Sequence, residues 1–253
     1  MSDAMQIAAT GLRSEQRQID VISNNVANMQ TPGFKKSRVN FADVAAAYAA
    51  QAGTTPESIG NGTRVVSTST FYSGGELKAT QNPWDIAIDG NGFFELEGVD
   101  GAMFYSRAGQ FHVDADGNLV NMQGLRLANG FQVPADARDI RVAANGDVTA
   151  KVGSDANATL LGSIQLVTFA SPDALVSVGD NRYTATEAAG APTALQPGSN
   201  GTGTLQQGYV ELANVELIDE MSSLVLAQRS YQMNARVLQA ADQILETINN
   251  LRR

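Results

Sequence analysis

The sequence predicts an α+β protein in which two terminal α-helices, discontinuous in the chain and coiled-coil-like, flank a central all-β domain. Two long end segments carry apolar residues at helical spacing, whereas the middle carries turn dipeptides at short intervals. The 253 residues are enough for a real core, and their 43% hydrophobic and 17% charged content is ordinary for a folded protein.

The first zone runs from residue 3 to about residue 30 and has apolar residues at the a and d positions of a heptad. The eight positions are Met5, Ala8, Leu12, Glu15, Ile19, Ile22, Val26 and Met29, and all except Glu15 are apolar. This narrow seam predicts an amphipathic helix about 40 Å long at roughly 1.5 Å per residue. We expect the helix to end at Thr31, because Pro32 disfavours helix in the residue before it.

Three asparagines lie near the end of this helix, although asparagine is a poor helix former. Asn28 suits a position near the C-cap, but Asn24 and Asn25 come earlier. Their amides offer donors and acceptors for contacts across a helix interface. We therefore predict that the asparagines serve contacts in an assembly.

The last zone, residues 215–251, contains neither Gly nor Pro and predicts a second long amphipathic helix. One row recurs every seven residues: Leu217, Leu224, Tyr231, Leu238 and Leu245. Flanking apolar residues complete or widen the stripe: Met221, Ala227, Ala235, Val237, Ala241, Ile244, Ile248 and Leu251. Narrow seams need a partner helix, so the two ends pair either with each other or with copies of the chain.

The middle zone predicts hairpins, because short apolar or alternating runs separate its turn dipeptides. These dipeptides are Asp89-Gly90, Asp100-Gly101, Asp116-Gly117, Asn129-Gly130 and Asn145-Gly146. Residues 37–80 show no clear period. The expected organisation is an N-terminal helix, a linking segment, a β domain, a return linker and a C-terminal helix, in the ranges 1–36, 37–80, 81–205, 206–214 and 215–253.

Composition argues against several classes of function. The net charge of −9 disfavours nonspecific binding to nucleic acid or anionic membranes, and residues 39–205 alone carry −9. The chain lacks cysteine, so disulfides, thiolate metal sites and cysteine nucleophiles are excluded. We expect no membrane insertion and no cleavable signal peptide, because neither a long apolar run nor a basic segment followed by an apolar one is present.

Catalytic, metal and cofactor sites are not predicted. His112 is the single histidine and reads as an ordinary strand residue. Asp114, Asp116 and Asn118 resemble a calcium loop only in part, and a hairpin turn explains them. Trp84 is either a core anchor or a contact residue, and we interpret it as a core residue.

Four quoted segments together resemble the flagellar rod and hook family of bacteria. In chain order they are GLRSEQRQIDVISNNVANMQTPGFKK, GELKATQNPWDIAIDGNGFFEL, MFYSRAGQFHVDADGNLV and QQGYVELANVELIDEMSSLVLAQRSYQMNARVLQAADQIL. The likeness covers nearly the whole chain and is greatest to the distal rod subunit, with a proximal rod subunit as the alternative. A monomeric binding module with an internal helical hairpin and a wall-degrading enzyme are the rivals outside the family.

The resemblance implies a structural subunit that polymerises into a hollow axial drive shaft, which transmits torque and encloses an export channel. The terminal helices would form the inner tube layer and the β domain the outer one, with Pro32-Gly33 turning the chain out of the tube. The implied partners are further copies of the chain, neighbouring rod and hook subunits, the outer bushing rings and the flagellar type III export apparatus. The implied location is the basal body, with the rod spanning the periplasm.

The residues expected to form subunit contacts come from both ends of the chain. They are Leu12, Ile19, Ile22, Asn24, Asn25, Val26, Asn28, Thr31, Pro32, Gly33, Phe34, Leu217, Met221, Leu224, Gln228, Tyr231, Asn234, Leu238 and Leu245.

Overall fold

The computed structural model describes residues 2–47, 58–98, 100–128, 130–153 and 157–251. The predicted fold class is confirmed, because a helix at each end flanks a β-rich region. The chain divides into two compact units and passes between them four times. The helical unit comprises residues 1–27, 37–70 and 216–253, and the β unit comprises residues 28–36 and 71–215.

The helical unit contains both long helices and one β-hairpin. Helix α1 spans Ser2–Ala27 and helix α2 spans Leu217–Leu251. Strands β1 (Ser37–Ala47) and β2 (Ser58–Thr70) pair antiparallel. The sequence did not predict this hairpin, because two register shifts interrupt the alternation of side chains along the strands.

The prediction that the first helix ends at Thr31 is wrong, because α1 ends at Ala27. A turn begins directly afterwards: the Thr31 amide donates to the Asn28 carbonyl at 3.0 Å, and the Thr31 hydroxyl donates to Asn28 Oδ1 at 3.2 Å. Side chains of this type compete with the helical ladder for backbone groups. Helix α1 therefore ends before Asn28. Pro32 lies further along the chain and does not determine where the helix ends.

The β unit consists of short strands in several sheets. In chain order they are β3 (Leu77–Ala79), β4 (Ile86–Asp89), β5 (Phe94–Glu97), β6 (Met103–Ser106), β7 (Phe111–Val113), β8 (Leu119–Asn121), β9 (Arg126–Leu127), β10 (Ala137–Val142), β11 (Asp147–Val152), β12 (Thr159–Ser163), β13 (Leu166–Thr168), β14 (Val176–Gly179), β15 (Arg182–Thr184), β16 (Thr193–Leu195), β17 (Thr204–Gln207) and β18 (Tyr209–Glu211). The largest sheet has seven strands in the order β14-β15-β6-β5-β9-β8-β7.

Two buried apolar clusters form the core of the β unit. The larger one is mostly aliphatic and contains Ile86, Phe94 and Leu166, with Trp84 packed against it partly buried. The smaller one is aromatic, and Phe93 and Tyr183 meet there in edge-to-face contacts. Adjacent residues belong to different clusters: Phe94 and Leu166 lie in the larger one, and Phe93 and Val167 lie in the smaller one. Successive side chains of a strand point to opposite faces, so both faces are buried at these positions. The interpretation of Trp84 as a core residue fits this position.

The residues considered for chemistry have ordinary structural roles. His112 is exposed on β7. Asp114 Oδ1 accepts backbone N–H bonds from Asp116 at 2.9 Å and Asn118 at 2.7 Å, so the carboxylate closes its own turn. The Asn118 side chain and backbone lower the pKa of Asp114 by donating to its charged form. In the described part of the chain, no helix combines the length and apolarity needed to cross a membrane.

Candidate assembly site

The two terminal helices pack antiparallel within one chain. Near one end of the pair, a Cβ on Gly11 would lie 2.8 Å from Nδ2 of Asn234. Near the other end, Asn25 Nδ2 donates to Glu220 Oε2 at 3.2 Å. The helices therefore approach closely where one of them carries glycine, and a polar contact fixes their register. Of the two pairings left open by the sequence, the structure contains the one within a chain.

Asn25 is the centre of a polar contact between three elements of the helical unit. Its side chain is buried, with 2% of the residue exposed. Its Oδ1 accepts the Ser37 amide at 3.0 Å, and its Nδ2 donates to the Ser37 carbonyl at 2.9 Å. With the bond to Glu220, this amide ties the end of α1 to the start of β1 and to α2. A poor helix former is retained here because its amide satisfies a backbone donor and acceptor.

Replacing Asn25 with alanine is expected to lower the free energy of unfolding by about 1–3 kcal/mol, because both polar groups of Ser37 lose their partner. The higher helix propensity of alanine offsets only a few tenths of a kcal/mol of this loss. The matched control is Ser23→Ala on the exposed side of α1, expected to change the free energy by less than about 0.5 kcal/mol. Urea unfolding followed by circular dichroism at 222 nm measures both, and equal losses would contradict the assigned role of Asn25.

The seam residues predicted for subunit contacts divide into two groups in the structure. The half-buried or buried ones lie on the sides of α1 and α2 that pack within the chain: Leu12, Ile19, Ile22, Asn25, Val26, Leu224, Asn234 and Leu238. The exposed ones are Asn24, Leu217, Met221, Gln228, Tyr231 and Leu245. A subunit contact through any of these residues stays a prediction.

An exposed apolar stripe on α2 was missed by the sequence reasoning. We define the α2 stripe as Leu226, Met233, Val237 and Ile244, which are 66%, 60%, 51% and 50% exposed. Leu226 and Met233 each directly precede an inward-facing residue, Ala227 or Asn234, so the stripe lies to one side of the intrachain seam. Val237 and Ile244, which widen the heptad stripe in the sequence, were the available signal.

The segment 31–34 packs inside the β unit. The Gly33 amide donates to the Glu211 carbonyl at 2.8 Å, and Asn181 Nδ2 donates to the Pro32 carbonyl at 3.0 Å. Gly33 has a φ of 72°, and a Cβ there would lie 2.5 Å from the Ala108 amide nitrogen. Only glycine fits this position, which explains the turn residues without reference to a neighbour.

A buried charged group that the sequence reasoning missed lies next to this segment. We call Lys35, Arg107 and Glu211 the Glu211 cluster. Lys35 Nζ lies 2.6 Å from Glu211 Oε1, and Arg107 Nε lies 2.9 Å from Glu211 Oε2. All three side chains are at most 2% exposed. The three residues are far apart in the chain, so no local pattern indicates their association.

The Glu211 cluster contains two cations and one anion, and backbone groups complete it. Arg107 Nη1 donates to the carbonyls of Gly90 at 2.8 Å and Gly92 at 2.7 Å, and Lys35 Nζ donates to the Ser73 carbonyl at 2.7 Å. Carbonyl oxygens thus compensate the extra positive charge. The cluster ties together the segments 28–36, 71–76 and 211–215, through which the chain leaves and enters the β unit.

Burial and ion pairing act against each other on Glu211. Burial alone would raise its pKa, but the charges of Arg107 and Lys35 and their hydrogen bonds outweigh burial and hold the pKa below its ordinary value. Burial, together with Arg107, lowers the pKa of Lys35 although Glu211 opposes this. The carboxylate of Glu211 is therefore the ionised counter-charge on which the cluster depends.

The geometry defines a class of protein: a structural subunit whose two chain ends form one helical pair with an uncovered apolar stripe. Comparison with protein families supports the same class. Residues 5–35 match the flagella basal body rod protein family. Residues 87–150 match the flagellar hook protein FlgE/F/G D1 domain, and residues 206–251 match the flagellar basal body rod FlgEFG protein C-terminal family.

Whole-length relatives agree with these family matches. The flagellar basal-body rod protein FlgG of Agrobacterium fabrum is 37% identical over 97% of this chain and 98% of its own length. FlgG of Bacillus subtilis is 37% identical over 96% of this chain and 97% of its own length. The flagellar hook-basal body complex protein FlhP of Bacillus subtilis is 30% identical over the full length of both chains.

The chain belongs to the flagellar basal-body rod protein family. It is a structural subunit of the flagellar basal body and not an enzyme. Membership of the family implies self-assembly into a rod together with other flagellar components.

Proposed function

We propose that this chain is the distal rod subunit, which polymerises into a hollow shaft that transmits torque to the hook and encloses the export channel. The observation that carries the proposal is the apolar α2 stripe, left uncovered on a helix whose other side packs against α1. Large exposed apolar surfaces of this kind mark protein–protein contacts. The likeness of the segment SIGNGTRVVSTSTFYSGGELKAT to the distal member favours that position in the rod.

We assign one compact unit to each of the two proposed layers. The helical unit would form the inner tube, where the α2 stripe and the exposed seam residues Leu217, Met221, Gln228, Tyr231 and Leu245 contact further copies. The β unit would form the outer layer and face the bushing rings. In the proposed pathway, the type III export apparatus exports the subunit, which joins a rod that spans the periplasm. Hook subunits then assemble on the end of this rod.

Deletion of the gene tests the proposed position. Cells without the chain should be non-motile, and their isolated basal bodies should carry a truncated rod without a hook in electron micrographs. A plasmid copy should restore both. Immunogold labelling of a tagged copy should place the chain on the half of the rod next to the hook. Label confined to the half next to the inner membrane would indicate a proximal subunit, and complete rods in the deletion strain would refute a rod function.

A further inference from the structure

In the part of the chain that the structure describes, the charged side chains of the helical unit form no ion pairs with one another. Among the described residues, the five ion pairs all lie in the β unit. Two hydrogen bonds to charged side chains of α1 and α2 are seen among the described residues, from Gln16 to Asp20 and from Asn25 to Glu220. A unit that assembles with copies of itself therefore has charges available for pairing across the interface.

Glu15 is the charge that a single chain accommodates least well. It occupies a d position of the α1 seam, where the other seven members are apolar. The side chain is half-buried and has no hydrogen-bond or ion-pair partner in the part of the chain that the structure describes. This burial without a partner raises the pKa of Glu15. A cation from outside the chain would relieve the desolvation of its carboxylate.

Two arginines on α2 provide such cations. Arg229 and Arg236 are exposed, lie one heptad apart, and alternate with Leu226, Met233 and Val237 of the α2 stripe. Each follows an inward-facing residue, Ala227 or Asn234, by two positions. At about 100° per residue, both guanidinium groups point about 200° away from the intrachain seam. They therefore cannot reach Glu15 of the same chain.

We infer that Glu15 of one copy pairs with Arg229 and Arg236 of a neighbouring copy. This pairing places the α1–α2 helix pair of the first copy on the α2 stripe of the neighbour. The inference rests on the proposed rod function and names the surface and the partner. Covering the stripe removes both arginines from water, and an unpaired buried charge is strongly unfavourable. Glu15 is only half-buried at the edge of the intrachain seam, so its carboxylate remains open to a neighbouring copy and supplies the opposite charge. The pair fixes the register that apolar contacts alone specify weakly.

Charge exchange in cells that carry the variant as their sole copy tests the pairing. Glu15→Arg alone, and Arg229→Glu with Arg236→Glu, should each reduce the swimming-halo diameter at least fivefold. The combined triple variant should recover at least half of the wild-type diameter. The control is Arg138→Glu, an exposed reversal in the β unit, expected to leave the halo unchanged. Normal motility of Glu15→Arg, or the absence of any recovery in the triple variant, would overturn the inference.

Cysteine cross-linking reports the contact without depending on motility. Because the natural chain lacks cysteine, Glu15→Cys in one tagged copy and Arg236→Cys in a second, differently tagged copy supply the only thiols. Mild oxidation of basal bodies from cells expressing both should give a dimer of about twice the chain mass that carries both tags. Basal bodies that contain both copies but yield no mixed dimer would refute the pairing and leave the rod function intact. Basal bodies that lack the chain altogether would refute both.

Discussion

Replacing Glu211 with glutamine is expected to lower the free energy of unfolding of the β unit by about 3–5 kcal/mol, the range found when one partner of a buried ion pair is removed. Glutamine keeps the shape of the side chain but leaves Lys35 and Arg107 buried without a counter-charge. Trp84, the single tryptophan, lies in the β unit, so its fluorescence during urea unfolding reports this unit directly.

The effect of Glu211→Gln should depend on pH with a defined sign. The pKa of Glu211 is lowered in the folded chain, so its stabilising contribution is complete above the ordinary value of 4.5 and is lost as the pH falls through the lowered value. The wild type and the variant should therefore differ most near pH 7 and converge as the pH falls below 4.5.

The matched control for Glu211→Gln is Glu97→Gln, an exposed glutamate at the end of β5 in the same unit. It should change the free energy of unfolding by less than about 0.5 kcal/mol. A small loss for Glu211→Gln, comparable to that of Glu97→Gln, would show that the Glu211 cluster does not hold its three chain segments together.

The second large effect concerns the α2 stripe. The double variant Leu226→Asp with Val237→Asp should abolish swimming and incorporation of the chain into basal bodies, because two carboxylates would have to be buried in an apolar contact. The purified monomer should keep its helical circular dichroism and its urea midpoint. Both positions are at least half exposed in the single chain, 66% and 51%, so folding does not require their burial.

An exposed apolar residue in the β unit provides the control for the stripe. Leu160 is 60% exposed on β12, and Leu160→Asp should leave both motility and incorporation near the wild-type level. Full incorporation of the stripe variant, measured by blotting isolated basal bodies, would exclude the α2 stripe from the assembly contact.

The structural features that the sequence predicts are those set by residues close together in the chain. The helices and the turns of the β region were predictable, because heptad spacing and Asp-Gly or Asn-Gly turns are local patterns. The hairpin β1–β2 was not, since its two bulges break the alternation that marks a strand. The Glu211 cluster joins residues 35, 107 and 211, and such long-range pairing leaves no periodic trace.

In the candidate assembly site, too, the contacts that depend on tertiary packing could not be predicted from the sequence. The asparagines near the end of α1 correctly marked an unusual place, but the structure accounts for Asn25 within one chain through Ser37 and Glu220. The heptad rows located the helix faces but did not distinguish the seam between α1 and α2 from a seam between subunits. That distinction required the burial of Ala227 and the exposure of Met233, which follow from tertiary packing.

Electron cryomicroscopy of basal bodies isolated from motile cells tests the central claim most directly. The rod should contain this chain in a helical array, with α1 and α2 in the layer around the channel and the α2 stripe covered by a neighbouring copy. A rod map in which the chain is absent, or in which the terminal helices face outward and the α2 stripe remains uncovered, would contradict the claim.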